Sequence, residues 1–270
     1  MSEVSIICTV KNGEKTIKST IESILRQSFT DWELVIVDDG STDNTNNIIK
    51  SFAEKDSRIK LITTKGVGRG KALNLAINNS KGKYIANIDA DDPSHPDRIK
   101  TQLQYFYKYP ELTLLSTDVV FVYDNEDPIW PKERDEVSLQ LVNRTLIYRN
   151  PISHSSVMIK REDLLSVGMY NEKLSSQLDY DLWVRLAERG YKLGYIPIKL
   201  ASKRIHSNQS FENKKRLRYL KDSFVVQKRA IRVLNGSFKA ILIMYLRFLY
   251  GILITQKIRV KLSRMMLHIR

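Results

Sequence analysis

Asp89, Asp91 and Asp92 put three carboxylates within four residues, at the end of the apolar run Tyr84 to Ile88. Like charges this close repel unless a cation or a proton offsets them. Hard oxygen ligands in such a row suit Mg2+ or Mn2+ carrying a phosphate-bearing substrate. A second acidic pair, Asp38 and Asp39, ends another apolar run, Leu34 to Val37. A solvated acidic turn is the plainer reading of either cluster alone. Two such ends in one sheet favour a nucleotide and a metal, with one carboxylate on the base or ribose and the others on the metal.

Strands must carry these acids. Tyr84 to Ile88 has the length and β-branching of a buried strand, and Pro93 and Pro96 stop it and open a helix. The acids then stand at the carboxyl end of a strand, where open α/β sheets gather their ligands. Val4 to Val10 and Leu34 to Val37 read as buried strands, and Arg58 to Thr63 as a third. Ile17, Ile21, Ile24 and Leu25 recur at helical spacing. Ser41 or Thr42 is positioned to cap the helix carrying Ile48, Ile49 and Phe52. Gly66, Gly68 and Gly70 make a flexible loop before a helix over Lys71–Asn79. Strand and helix alternate, which implies a parallel sheet with right-handed crossovers.

Further along, a helix runs to about Tyr107, and strands follow at Leu112–Leu115 and Val119–Tyr123. The polar segment from Asp124 to Glu136, with Pro128, Trp130 and Pro131, reads as a loop. Val137–Ile147 reads as a helix and Ser155–Ile159 as a strand. Asp179–Arg189 is helical with Leu182, Trp183 and Leu186 inward, and Tyr195–Ile205 is extended.

The chain has 270 residues, enough for one large domain with an appendage. Its single cysteine, Cys8, excludes an internal disulfide framework and a Cys-based zinc site, and fits a reducing compartment. The start, Met-Ser-Glu-Val, leads directly into a strand and does not resemble a signal peptide. Charge is uneven. Lys199 to Arg270 holds 18 Lys/Arg against the acids Glu212 and Asp222, a net +16 that leaves the first 198 residues at −2. Phe211–Leu234 has a basic helical pattern, and Phe238–Ile254 is apolar nearly all round, broken by Lys239 and Arg247. That run falls short of a comfortable membrane span. Ile258, Leu262, Met265, Met266 and Ile269 then form an apolar stripe flanked by Lys257, Arg259, Lys261 and Arg264. A basic amphipathic helix of this kind lies in the interface of an anionic bilayer. Packing on its own domain or in a homodimer is the competing reading. Nucleic acid is not expected, since no reader motif is present.

The strand ending near Asn12, the run Asp38-Asp39-Gly40-Ser41-Thr42-Asp43, the run Asp89-Ala90-Asp91-Asp92 before Pro96, and Asp179-Tyr180-Asp181-Leu182-Trp183 occur in this order. Together they resemble family 2 glycosyltransferases of the GT-A fold, over roughly residues 2–210. The resemblance implies a Rossmann-like α/β domain with a mostly parallel sheet over 1–210, and the charge and helical pattern leave 211–270 as a basic helical extension. It implies an inverting transferase that uses a nucleotide-sugar donor and Mn2+ or Mg2+. Carried over by position, Thr9 and Asp39 meet the base, Asp38 supports them, and Arg69 or Lys71 meets the diphosphate. Asp89 and Asp91 are the outer residues of the Asp-x-Asp motif, with Asp91 the preferred metal ligand and Asp92 an orienter or second ligand. Arg204 and His206 match an Arg-x-His that closes the donor site, His206 on the metal or diphosphate. Asp179 is the base, with N-cap as the plainer alternative and Asp181 as the other candidate.

Two departures stand out. Position 178 is Leu where the family has Glu, and position 11 is Lys where it commonly has Tyr, so UDP is only the default nucleotide. His154 and Trp130 are candidates for the acceptor side, Trp130 by stacking on a sugar ring. The expected setting is bacterial surface polysaccharide synthesis on a saccharide or lipid-linked acceptor, at the inner face of the cytoplasmic membrane. A nucleotidyltransferase using a nucleoside triphosphate and a sugar phosphate, or a non-enzymatic binding protein, are the alternatives.

Overall fold

The computed structural model describes residues 2–123, 126–132, 137–205 and 216–253. Its centre is an eight-stranded sheet. In chain order the strands are β1 (Val4–Val10), β2 (Trp32–Asp38), β3 (Ile59–Thr63), β4 (Tyr84–Asp89), β5 (Leu112–Tyr123), β6 (Gln140–Leu141), β7 (Met158–Lys160) and β8 (Lys192–Ile205). In space the order is β3-β2-β1-β4-β7-β5-β8-β6. The pairs β3–β2, β2–β1, β1–β4 and β5–β8 are parallel. The sheet is mostly parallel, as expected, with two antiparallel members: β7 runs antiparallel to β4 and β5, and β6 antiparallel to β8.

Side-chain alternation sends the strands into two cores. Ile6, Cys8, Leu34, Ile36, Ala86 and Ile88 face one side. There they meet α1 (Ile17–Leu25), α2 (Thr45–Ala53) and α4 (Arg98–Lys108). Ile7, Val35, Val37 and Ile85 face the other side. They pack against α3 (Arg69–Asn78), α5 (Arg161–Ser166), α6 (Leu178–Glu188) and the first helix of the tail, α7 (Arg216–Val233). Each such buried aliphatic side chain contributes roughly 1.5–3 kcal/mol. Val226 and Ala230 of α7 belong to the same core as Trp183. The last described helix, α8 (Phe238–Leu253), folds back on α7 through Ala240 and Met244. Asn235, in the left-handed region at φ 53°, makes that turn.

Four local expectations change. Val137–Ile147 is a short strand followed by a 3-10 turn over Asn143–Ile147. Asn143 holds it there, donating to the Tyr191 carbonyl and accepting from Leu193 N–H. Ser155 and Ser156 lie in a 3-10 turn, where Ser156 Oγ bonds back to the Ser153 carbonyl and competes with strand pairing. The polar Ser116-Thr117-Asp118 does not break β5 but forms an irregularity inside one long strand. Finally, α2 begins at Thr45, preceded by Asn44, so neither Ser41 nor Thr42 caps it.

Candidate active site

The site is built on the carboxyl ends of β2, β1 and β4. Thr9 is in register with both Val37 and Asp89, so the two acidic strand ends flank it. Beyond β1, Asn12 takes a positive φ of 56° and accepts from Thr42 N–H at 2.8 Å, while its own N–H donates to Ser41 Oγ at 2.9 Å. Asp38 is buried and accepts from Ser41 N–H and the Asn46 amide. These bonds make Asp38 the brace of the loop.

Asp39 holds the glycine loop. Its carboxylate accepts from Thr64 Oγ1 at 2.6 Å, Val67 N–H at 2.6 Å and Gly68 N–H at 2.9 Å. Burial works against its charge, yet these donors and the nearby Lys11 cation hold its carboxyl below the usual carboxylate range. The close approach depends on Gly40. At φ 78°, a Cβ there would lie 2.9 Å from Gly66 N.

At the end of β4, Asp89 meets Arg69, the first residue of α3, at 2.6 Å. Burial opposes ionisation of Asp89, but the Arg69 guanidinium holds its carboxyl well below the usual range. Lys71, two residues on, is exposed. Asp92 accepts from Arg204 N–H at 2.7 Å; burial and the charges of Asp89 and Asp91 push its carboxyl well above the usual range. Arg204 also donates to the carbonyls of Asp91 and Glu126, so it ties β8 and the loop after β5 to the acidic turn. His206 lies outside the described residues, as do the stripe from Ile258 to Ile269 and the basic residues beside it.

Beneath the turn sits Arg98, fully buried. It donates to Gln102, Ser94, the Asn87 carbonyl and the Val157 carbonyl. Burial pulls its guanidinium down to about 9, which still leaves it charged at neutral pH. This cation behind the acids was missed in the sequence, where one Arg in a helix carries no distinguishing signal.

Behind Asp89, Asn87 donates to His154 Nδ1 at 2.7 Å and to the His154 carbonyl at 3.2 Å. The carbonyl fixes the amide orientation, so Nδ1 accepts and Nε2–H faces the Tyr170 hydroxyl at 2.8 Å. His154 is therefore placed beside Asp89 and Arg69, its side chain about one-tenth exposed. Tyr170 is held in turn by the Asn74 amide of α3, which bonds both its N–H and its carbonyl. Neither Asn87 nor Tyr170 stood out in the sequence.

Asp179 is the second residue of α6, whose N-cap position is Gln177. The cap alternative for Asp179 is thereby corrected. One carboxylate oxygen accepts from the Asn150 amide at 2.8 Å; the other has no hydrogen bond among the described residues. Arg69 feels the charge of both Asp89 and Asp179, so the two acids share one locality. Gly70 allows this: a Cβ there would stand 3.2 Å from Leu178. Asp181 points elsewhere, paired with Arg185 at 2.8 Å and facing Arg229 of α7 at 3.7 Å. Trp130 packs edge-on against His95 at 5.3 Å.

Among the described residues no three carboxylate, His or Cys groups converge as a ready metal cage. The acidic turn nevertheless fits a divalent ion. Asp92 is pushed up by burial and then by the charges of Asp89 and Asp91, and a cation relieves the second of these. Mg2+ and Mn2+ sites of one or two carboxylates take their other ligands from phosphate and water.

A mostly parallel α/β sheet with acids converging at its carboxyl ends is an open-sheet arrangement that gathers ligands along that edge. The profile of glycosyl transferase family 2 matches residues 5–165, and the chain belongs to that family. It is a glycosyltransferase, which sets aside the nucleotidyltransferase and the non-enzymatic binding protein. It is 30% identical over 184 residues to the O-antigen biosynthesis glycosyltransferase WbnJ of Escherichia coli, covering 68% of this chain and 71% of WbnJ. The fold matches S. aureus TarS 1-349 in complex with UDP-GlcNAc, with TM-score 0.69, 18% identity, and 92% of this chain and 72% of that one covered. It also matches mannosyltransferase PcManGT of Pyrobaculum calidifontis in complex with GDP-Man and Mn2+, with TM-score 0.65, 17% identity, and 97% and 83% covered. The architecture is thus the GT-A arrangement followed by C-terminal helices.

Proposed function

We propose that this chain is an inverting glycosyltransferase. It moves a sugar from a nucleotide-sugar donor, a UDP-sugar by default, to a saccharide or lipid-linked acceptor in bacterial surface polysaccharide synthesis. The observation that carries this reading is the joint position of Asp89 and Asp179 about Arg69. Asp39 and Thr9 take the base end. Lys11 stands beside Asp39 and the Gly66 loop, so the base is gripped by charge and backbone rather than by a stacked aromatic ring. Arg69 takes the diphosphate, where a guanidinium fits phosphate oxygens in pairs. Asp91 and Asp89, with Asp92 behind them, would hold Mn2+ or Mg2+. When bound, that ion neutralises charge growing on the leaving diphosphate.

The free oxygen of Asp179 takes the proton of the acceptor hydroxyl as the hydroxyl oxygen bonds to the anomeric carbon. The bond from the anomeric carbon to the phosphate oxygen breaks on the opposite face, and its electron pair leaves with the nucleoside diphosphate. The transition state is oxocarbenium-like. Support for the setting comes from the likeness to an O-antigen transferase. Support for the donor class and metal comes from the UDP-GlcNAc and GDP-Man/Mn2+ complexes of the two solved structures. Residues 1–210 form the transferase unit, and 211–270 bring it to the inner face of the cytoplasmic membrane.

Nucleoside diphosphate release from a panel of nucleotide sugars with Mn2+ tests the reading, alongside Asp91→Ala and Asp179→Ala. Asp91→Ala is expected to lose metal-dependent donor binding. Asp179→Ala should bind donor as before and lose roughly 10²–10⁴-fold in turnover. Equal loss of donor binding in both variants would overturn the division of labour.

A further inference from the structure

We propose that the hairpin α7–α8 positions the Asp179 carboxylate, with Asp222 and Gln227 as the positioning residues; this rests on the reading of Asp179 as base. The direction of Asp179 is set by where α6 begins. It begins after Gln177, held at φ 58° and ψ 24°, a left-handed conformation that disfavours non-glycine residues. Something must hold the chain there. The two residues before Gln177 are serines, and both hydroxyls donate to Asp222 Oδ2, Ser176 at 2.7 Å and Ser175 at 3.3 Å. Ser176 is buried. Asp222 is the only acid after Glu212 in the chain, on a helix otherwise crowded with Lys and Arg.

A second arm reaches Asp179 from the other side. Asn150, its hydrogen-bond partner, follows Tyr148 by two residues. The Tyr148 carbonyl accepts from Gln227 of α7 at 2.9 Å and from Arg247 of α8; Gln227 also reaches the Ile147 carbonyl. A third contact fixes α6 itself: Arg229 bonds Glu188 at 2.6 Å and faces Asp181. The entry loop to Asp179, its helix and its amide partner are thus all tied to the tail hairpin. A general base must lie within hydrogen-bond reach of the hydroxyl it deprotonates, so small displacements cost turnover steeply.

A double-mutant cycle of Asp222→Ala and Asp179→Asn tests this in the full chain. Diphosphate release from the nucleotide sugar that the wild type turns over gives kcat and KM. Binding of UDP or GDP with Mn2+, whichever the wild type prefers, is read by calorimetry. Asp222→Ala is expected to lower kcat about 10–100-fold with nucleotide affinity within about twofold. Asp222→Asn, which keeps an acceptor oxygen for Ser176, recovers most of the rate. In the Asp179→Asn background, Asp222→Ala adds no further loss. Ser176→Ala removes the same bond from the other side and gives the same readout should Asp222→Ala fold poorly. Full additivity of the two losses, or a parallel loss of nucleotide affinity, overturns the proposal. Wild-type kcat in Asp179→Asn would instead overturn the base assignment, and the proposal with it.

Discussion

Asp39 is the residue whose chemistry most constrains its neighbours. Two backbone N–H groups and one hydroxyl converge on its carboxylate, and its carboxyl lies below the usual range. An acid whose folded pKa is lowered stabilises the fold above its unfolded pKa, and that stability is lost as pH falls through the folded value. Asp39→Asn should therefore cost about 1–3 kcal/mol in urea unfolding at pH 7. The difference from wild type should shrink as pH falls below about 4. A gap that stayed constant from pH 7 to pH 3 would mean that charge does not hold this loop. The roles of such residues were only half legible in the sequence. Asp38 and Asp39 are adjacent and identical in type, yet one braces its own loop and the other holds a distant one. Alternation along β2 and its following turn decides which is which, and spacing alone does not reveal it.

Elements explain why some sequence patterns misled. Ser116-Thr117-Asp118 looks like a break because it is polar. Pairing with β8 satisfies its backbone, so the strand continues across it. Ser155 and Ser156 look strand-like among apolar neighbours, but the Ser156 hydroxyl captures a nearby carbonyl. The glycine loop was legible as a loop, and Gly40 shows what sets its position. Gly40→Ala places a Cβ against Gly66 N at a φ that L residues avoid. It should cost about 1–3 kcal/mol in thermal or urea unfolding. It should also weaken UDP or GDP binding, because the 64–68 segment that Asp39 holds must move. A variant with unchanged melting and unchanged nucleotide affinity would show that the contact is slack.

In the molecule as a whole, α8 presents two unlike faces. One side packs on α7 through Ala240, Met244 and Gly251. The other leaves Leu242, Leu246, Leu249 and Leu253 exposed in one stripe. Among the described residues no helix is long and apolar enough to cross a membrane. A half-exposed apolar stripe in a strongly basic segment fits the interface of an anionic bilayer. The double change Leu246→Asp and Leu249→Asp should abolish flotation with phosphatidylglycerol liposomes while leaving circular dichroism unchanged. Flotation equal to wild type would sink the membrane reading. A concentration-dependent mass in ultracentrifugation that the same variant removes would identify a homodimer in its place.

By itself the sequence determined the strands and helices that alternate through residue 108, the acids at their ends and the basic asymmetry of the tail. These are local or summed properties: a run of β-branched residues, a proline stop and a charge count need no partner to be read. The family resemblance also followed from short motifs in order. Only the tertiary structure decided that β7 enters antiparallel and that Arg98 lies beneath the acids. The same holds for the separation of Asp179 and Asp181 between the site and an ion pair. Each involves a contact between residues far apart in the chain: β4 with β7, Arg98 with Val157, Asp179 with Asn150 and Asp181 with Arg229. Burial and hydrogen-bond satisfaction select among geometries that the local sequence leaves equally open.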